Sequence, residues 1–175
     1  VAAKPLLPPP ERWLAEGMKV EISSIRRCSK SPLPRLKSLN YMDCILAKQA
    51  AKRSGADEAM FLDTDGNIAE TTAWNVFFVD GDVLHTPSAR GPLLPGITRE
   101  IVLELATRAG VTCRDGEYTP LKLSMASEAF LTNSLYGVVP IGQFNGAALG
   151  DDMPGPITVE LTSLYESARL RGDGI

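Results

Sequence analysis

The chain has 175 residues, 44% hydrophobic and 22% charged, with a formal net charge of -3. That is length enough for one domain with its own core, and the mild negative charge gives no electrostatic case for binding nucleic acid. No apolar run of about 18 residues is present to span a membrane, and no basic-then-apolar signal opens the chain, so a cytoplasmic location is expected.

The first residues, Val1-Ala2-Ala3-Lys4 and the prolines Pro5, Pro8, Pro9 and Pro10, read as a linker. Residues 1–17 are therefore assigned to an interdomain segment and 18–175 to the folded domain, the C-terminal part of something longer. Trp13 and Leu14 are expected to anchor a short turn. Met18 to Arg27 is strand-like, with Val20 and Ile22 on one face. Arg26, Arg27 and Lys30 are read as a solvated basic cluster, and Pro32 and Pro34 as enforcing extended backbone. Asn40 is expected to cap a helix whose Met42, Ile45, Leu46 and Ala50 form a buried stripe. Lys48, Lys52 and Arg53 suit the end of that helix, and Gly55 stops it. Lys37 precedes the helix on a short connection.

Strands follow at 59–62, 67–70, 75–79 and 83–85, with turns at Asp63-Thr64-Asp65-Gly66 and Asp80-Gly81. Pro92 to Gly96 is a loop into a helix from about Thr98 to Arg108, closed near Gly110. A strand near 111–114, a helical piece near 121–125, and strands at 128–132 and 138–144 come next. A last helix starts after Pro154-Gly155-Pro156, with Ile157, Leu161, Leu164, Tyr165 and Ala168 inward. Hairpins mixed with separate helices argue for α+β or a barrel-like mixed sheet, not a doubly wound one.

Three scattered cysteines, Cys28, Cys44 and Cys113, fit reduced thiols buried as small hydrophobes rather than a disulfide framework or a zinc site. The single histidine, His85, rules out a histidine-based metal cluster, and no metal is expected. Four features could carry chemistry. Lys37 offers an amine. Glu70 at a strand end could keep a pyridine nitrogen protonated, which makes the ring a better electron sink. Gly96-Ile97-Thr98 opens a helix, where free N–H groups and the dipole favour phosphate. Thr132-Asn133-Ser134 offers hydroxyl, amide and backbone donors after a strand. Each alone reads first as an exposed lysine, an edge carboxylate, an ordinary helix start or a polar turn.

Their order and surroundings resemble a known family. Arg35-Leu36-Lys37-Ser38-Leu39-Asn40-Tyr41, Gly55-Ala56-Asp57-Glu58-Ala59, Asp63 to Glu70, Asn75-Val76-Phe77 and Leu94-Pro95-Gly96-Ile97-Thr98-Arg99 are similar, in sequence order, to the class IV (fold type IV) pyridoxal-phosphate enzymes. That family includes branched-chain and D-amino-acid aminotransferases and 4-amino-4-deoxychorismate lyase. The resemblance runs from about Met18 to the C-terminus. It implies the large C-terminal domain of the D-amino-acid aminotransferase-like fold, a mixed α/β pseudo-barrel, with pyridoxal 5'-phosphate as cofactor, a small-molecule substrate, and a homodimer.

It also implies roles. Lys37 would form the Schiff base with the cofactor and then move the proton. Glu70 would pair with the pyridine nitrogen. Gly96, Ile97 and Thr98 would bind the phosphate, with Thr132 and Asn133 as a second small-polar turn. Thr72 would lie near the ring, and Trp74 stands where a small residue is common. Glu128 to Leu135, with Gly137 and Val139-Pro140, looks most like the lyase, which eliminates pyruvate to give 4-aminobenzoate for folate biosynthesis. A class IV amino-acid aminotransferase is the alternative. The family's N-terminal domain, which completes the site, has no match here. That departure leaves open a module that keeps the fold for binding or dimerisation without catalysis.

Overall fold

The computed structural model describes residue 3 and residues 5–172. A short helix, α1 (Glu11–Ala15), leads into the long strand β1 (Met18–Arg27). A 3-10 turn (Leu33–Arg35) and α2 (Met42–Ser54) follow. Two hairpins come next, β2 (Glu58–Asp63) with β3 (Ile68–Thr71), then β4 (Asn75–Asp80) with β5 (Val83–Pro87). The chain continues through α3 (Ile97–Arg108), β6 (Thr112–Gly116), α4 (Pro120–Ser124), β7 (Glu128–Asn133), β8 (Gly137–Phe144), β9 (Ala147–Ala148) and α5 (Pro156–Arg171).

The strands form one mixed sheet in the order β3-β2-β1-β8-β7-β4-β5-β6, with β9 on β8. Hairpins give the antiparallel pairs β2–β3, β4–β5 and β7–β8, while β4 pairs antiparallel with the distant β7. The parallel pairs β1–β2 and β5–β6 need crossovers, and α2 and α3 supply them. β3 packs beside β4 and β5, so the sheet curls into a half-barrel. The α+β expectation holds. Among the described residues no helix is long and apolar enough to cross a membrane.

Period-2 alternation explains why the strands read as almost continuous apolar runs: both faces are covered. Val76, Phe78, Leu131, Val139 and Met60 point into the curve. Their neighbours Phe77, Val79, Phe130 and Val138 point outward onto α3 and α5, against Val102 and Leu161. Phe77 and Phe130 stack with ring centroids 5.0 Å apart. Truncating either to alanine is worth about 3–5 kcal/mol. Of the stripe predicted for α5, Leu161, Tyr165 and Ala168 are buried and Ile157 and Leu164 half-buried. The buried Glu128 caps this helix, accepting from the N–H groups of Ile157 and Thr158 and from the Thr158 hydroxyl.

Several sequence expectations need correcting. The buried face of α2 is Cys44, Ala47 and Ala51, while Met42, Ile45, Leu46 and Ala50 are exposed. Small side chains let the helix lie close over β1 and β2, where Phe61 and Ile25 fill the space. The large apolar residues are turned away. Asn40 caps nothing: Tyr41 occupies the N-cap without a side-chain bond. Pro32 and Pro34 build the 3-10 turn rather than extended chain, because a tight first turn has no need of their missing N–H groups. β6 runs on to Gly116, past the strand expected near 111–114, because it pairs residue by residue with β5. Cys28 is exposed, unlike Cys44 and the half-buried Cys113; all three are free thiols. Gly55 does end α2, at φ 90°, a conformation suited to glycine. His85 is buried on β5, stacked on Phe78 and 3.1 Å from the Tyr118 hydroxyl.

Candidate active site

The ends of β1, β3 and β7, the start of β4 and the N-termini of α2 and α3 meet around one cavity of about 420 Å³. Lys37, Glu70, Thr72 and Thr98 all line it. So do Gly96, Ile97, Thr132 and Asn133, so every residue singled out from the sequence reaches the same place.

Lys37 is exposed at the mouth, on the connection between the 3-10 turn and α2. Among the described residues its amine has no hydrogen-bond or ion-pair partner. Glu70, on β3, is only 7% exposed. Its Oε2 accepts from the Leu94 N–H at 3.0 Å, and its Oε1 lies 3.3 Å from the Arg27 guanidinium. Burial pushes its carboxyl up to about 7, against the opposing pull of the Leu94 N–H and Arg27.

Arg27 is not part of a solvated cluster. Its side chain is 11% exposed, and it binds Asp43 as well as Glu70. It also donates to Cys44 Sγ at 3.2 Å and lies 4.1 Å above the Phe61 ring. Burial raises the Cys44 thiol to about 11. Within β1, Ser23, Ile25 and Arg27 alternate onto the side that α2 covers. That period-2 pattern was the available signal for Arg27, and the neighbouring basic residues masked it.

At the opposite end, Gly96 is the N-cap of α3, with no side chain capping the helix. The first intrahelical bond is from the Glu100 N–H to the Gly96 carbonyl, which leaves the earlier amides for a ligand. A Cβ on Gly96 would lie 2.2 Å from Asn75 Oδ1. Glycine is thus needed for the approach of Asn75, whose Nδ2 donates to the Leu94 carbonyl at 2.8 Å. Thr98 is buried with its side chain at the cavity wall. Thr132 is 1% exposed, and among the described residues its hydroxyl has no partner. A buried hydroxyl left this way costs about 1–3 kcal/mol, and a ligand acceptor in the cavity would recover it. Asn133 instead spends its Oδ1 on the N–H groups of Leu135 and Tyr136, closing its own turn. Among the described residues its amide NH2 has no partner, and Asn133 lines the cavity beside Ser134.

Thr72 donates to the buried Glu58 at 2.6 Å. Nothing in the sequence pattern marked Glu58 beyond its place before an apolar strand. Trp74 forms part of the wall and stacks on Tyr136 with centroids 5.7 Å apart. Trp13 of α1 meets both rings edge-on, at 6.4 and 6.2 Å. α1 is clamped by Arg12 onto Asp57. The expected Trp13 anchor is therefore a direct contact with the cavity wall.

The donor set suits one kind of ligand. Free amides and unpaired hydroxyls stand at one end for an anion. A carboxylate stands at another for a protonated ring nitrogen, and an amine stands at the mouth.

Comparison with known proteins agrees. The family described as amino-transferase class IV matches residues 1–144. The branched-chain-amino-acid aminotransferase of Pseudomonas aeruginosa is 36% identical over 157 residues, 89% of this chain and 51% of that protein. A branched-chain aminotransferase structure from Thermoproteus uzoniensis superposes with TM-score 0.87 at 31% identity, covering 97% of this chain and 56% of that one. A Legionella pneumophila structure provisionally named 4-amino-4-deoxychorismate lyase gives TM-score 0.82 at 29% identity, covering 86% and 55%. The chain spans about half the length of the curated relatives it matches.

Proposed function

The chain belongs to the class IV amino-transferases, and from that membership we propose that its cavity holds pyridoxal 5'-phosphate and works on the amino group of a small substrate. The observation that carries this reading is that Lys37, Glu70, Thr98 and the unpaired Thr132 hydroxyl line one cavity. When bound, the cofactor supplies an electron sink for charge developing on the substrate. Lys37 is the amine that would hold it covalently and, when free, would move a proton at the substrate carbon or ring. Glu70 accepts from the ring nitrogen; a cation there stabilises the carboxylate that burial otherwise disfavours. The amides of Ile97 and Thr98, with the hydroxyls of Thr98 and Thr132, hold the phosphate. Asn133 contributes its amide. Leu33, Leu36 and Ile97 are exposed apolar residues of the cavity lining.

Of the two reactions, amino-group transfer has the support of the more similar curated relatives. Elimination of pyruvate from aminodeoxychorismate is the second reading, supported by the Thr132-Asn133-Ser134 turn and by the Legionella likeness. A homodimer fits the apolar flank of Leu39, Met42, Ile45 and Leu46, all exposed. Light scattering on the purified protein tests it, and a monomer that Met42→Glu leaves unchanged refutes it.

The decisive test uses the intact protein. Pyridoxal phosphate followed by borohydride leaves a stable adduct on Lys37 in the peptide map, absent in Lys37→Ala. An adduct elsewhere, or none, sinks the reading. Leucine with a 2-oxo acid, against aminodeoxychorismate, then separates transfer from 4-aminobenzoate release.

A further inference from the structure

The carboxylate end and the phosphate end of the cavity are joined at one residue. Leu94, in the loop between β5 and α3, is held by both of its backbone groups. Its N–H donates to Glu70 Oε2 at 3.0 Å, and its carbonyl accepts from Asn75 Nδ2 at 2.8 Å. A carbonyl can only accept, so the Asn75 NH2 faces Leu94. Its Oδ1 lies against Gly96, where a Cβ would collide with it. Asn75 is itself 6% exposed and stands at the start of β4, opposite Thr132 of β7. One side chain rooted in the sheet thus grips the loop at Leu94 and at Gly96, the N-cap of α3.

Little between these two grips can bend. Pro95 has a fixed φ, and a residue before proline is confined to extended backbone. The direction of the Leu94 carbonyl therefore passes on to Gly96 and to the Ile97 and Thr98 amides that follow. We propose that Asn75 is the positioning residue for both ends of the site: its hydrogen bond to the Leu94 carbonyl aims one N–H at Glu70 and the first amides of α3 at the anionic end of the ligand. The phosphate half of this rests on the pyridoxal phosphate reading above; the Glu70 half does not.

The Leu94 N–H favours ionised Glu70, against the burial that raises it to about 7. A loop released from Asn75 should weaken that bond, so the Glu70 midpoint should climb. In the intact, cofactor-free protein, NMR of labelled carboxyl carbons follows Glu70, with Glu70→Gln assigning its resonance. Asn75→Ala should raise the midpoint by about one pH unit, as loss of a hydrogen bond to a charged group would. Asn75→Ser, a bond too short to reach the carbonyl, should do the same and keeps the test decisive if the alanine variant fails to fold. Val102→Ala, a core truncation further along α3, should leave the midpoint in place. Equilibrium dialysis then compares pyridoxal phosphate with pyridoxal, and the ratio of their affinities isolates the phosphate. That ratio should fall about tenfold in Asn75→Ala and hold in Val102→Ala. An unmoved Glu70 midpoint overturns the proposal; a lower ratio beside it would make Asn75 a direct ligand contact instead. A raised midpoint with an unchanged ratio overturns the reach to the phosphate end. If the parent binds neither compound and gives no borohydride adduct, the cofactor reading falls together with the phosphate half, and the titration still decides the Glu70 half.

Discussion

Replacing Glu70 by glutamine should stabilise the cofactor-free protein at neutral pH while removing its affinity for pyridoxal phosphate. The carboxyl is raised from an ordinary value of 4.5 to about 7 by burial. Below the ordinary value it is protonated in both folded and unfolded chains, and folding carries no penalty. As pH rises towards about 7 the unfolded chain releases its proton first, so stability falls. Above that pH the full difference stands. A gap of about 2.5 units corresponds to about 3 kcal/mol. Glutamine has no proton to release. Like the protonated acid, it must turn a donor towards either the Leu94 N–H or Arg27, so it is a fair mimic of that form. Urea denaturation of both proteins from mildly acidic to mildly alkaline pH should show curves that diverge through this window, the variant ending about 3 kcal/mol more stable. Added pyridoxal phosphate should raise the parent's midpoint and leave the variant's in place. A stability gap independent of pH would refute the argument that burial of this charge is uncompensated in the absence of a cationic ring.

Three further perturbations test the frame around the cavity. Gly96→Ala forces a Cβ against Asn75 and should cost about 1–3 kcal/mol in denaturant, partly regained in an Asn75→Ala background. Equal costs in both backgrounds would contradict the contact. Thr132→Val removes an unpaired buried hydroxyl and should stabilise the cofactor-free protein by about 1 kcal/mol. It should also weaken pyridoxal phosphate binding in equilibrium dialysis; unchanged affinity would remove Thr132 from the phosphate end. Arg27→Met leaves Glu70 and Asp43 without their shared cation and should cost about 3–5 kcal/mol. Arg27 opposes the burial that raises the Cys44 thiol, so Cys44 should then react more slowly with a maleimide, and an unaltered rate would show that Arg27 does not act on it.

The local features written in short stretches of chain were legible before any coordinates. Strand hairpins followed from Asp63-Thr64-Asp65-Gly66 and Asp80-Gly81, and helix ends from Gly55 and Gly110. The eight residues picked for chemistry converge because they lie where strands end and helices begin, and such ends cluster in a mixed sheet. What misled was orientation. In α2 the larger apolar side chains suggested the buried stripe, but a crossover helix packs by its narrow face, and Cys44, Ala47 and Ala51 provide it. Arg27 looked like one of several surface charges until β1 placed it beneath α2 and beside Glu70.

Residue chemistry and spacing alone therefore determined which groups could act: an amine, a carboxylate, free helix amides and small hydroxyls, on a mixed α+β scaffold. The tertiary structure decided their charge and their direction. Glu70 is raised because the fold buries it, and the Thr72 hydroxyl donates to Glu58 because β2 brings that carboxylate to it, paired by Lys48 of α2. Desolvation and hydrogen-bond polarity depend on neighbours distant in sequence, so no local pattern could have specified them.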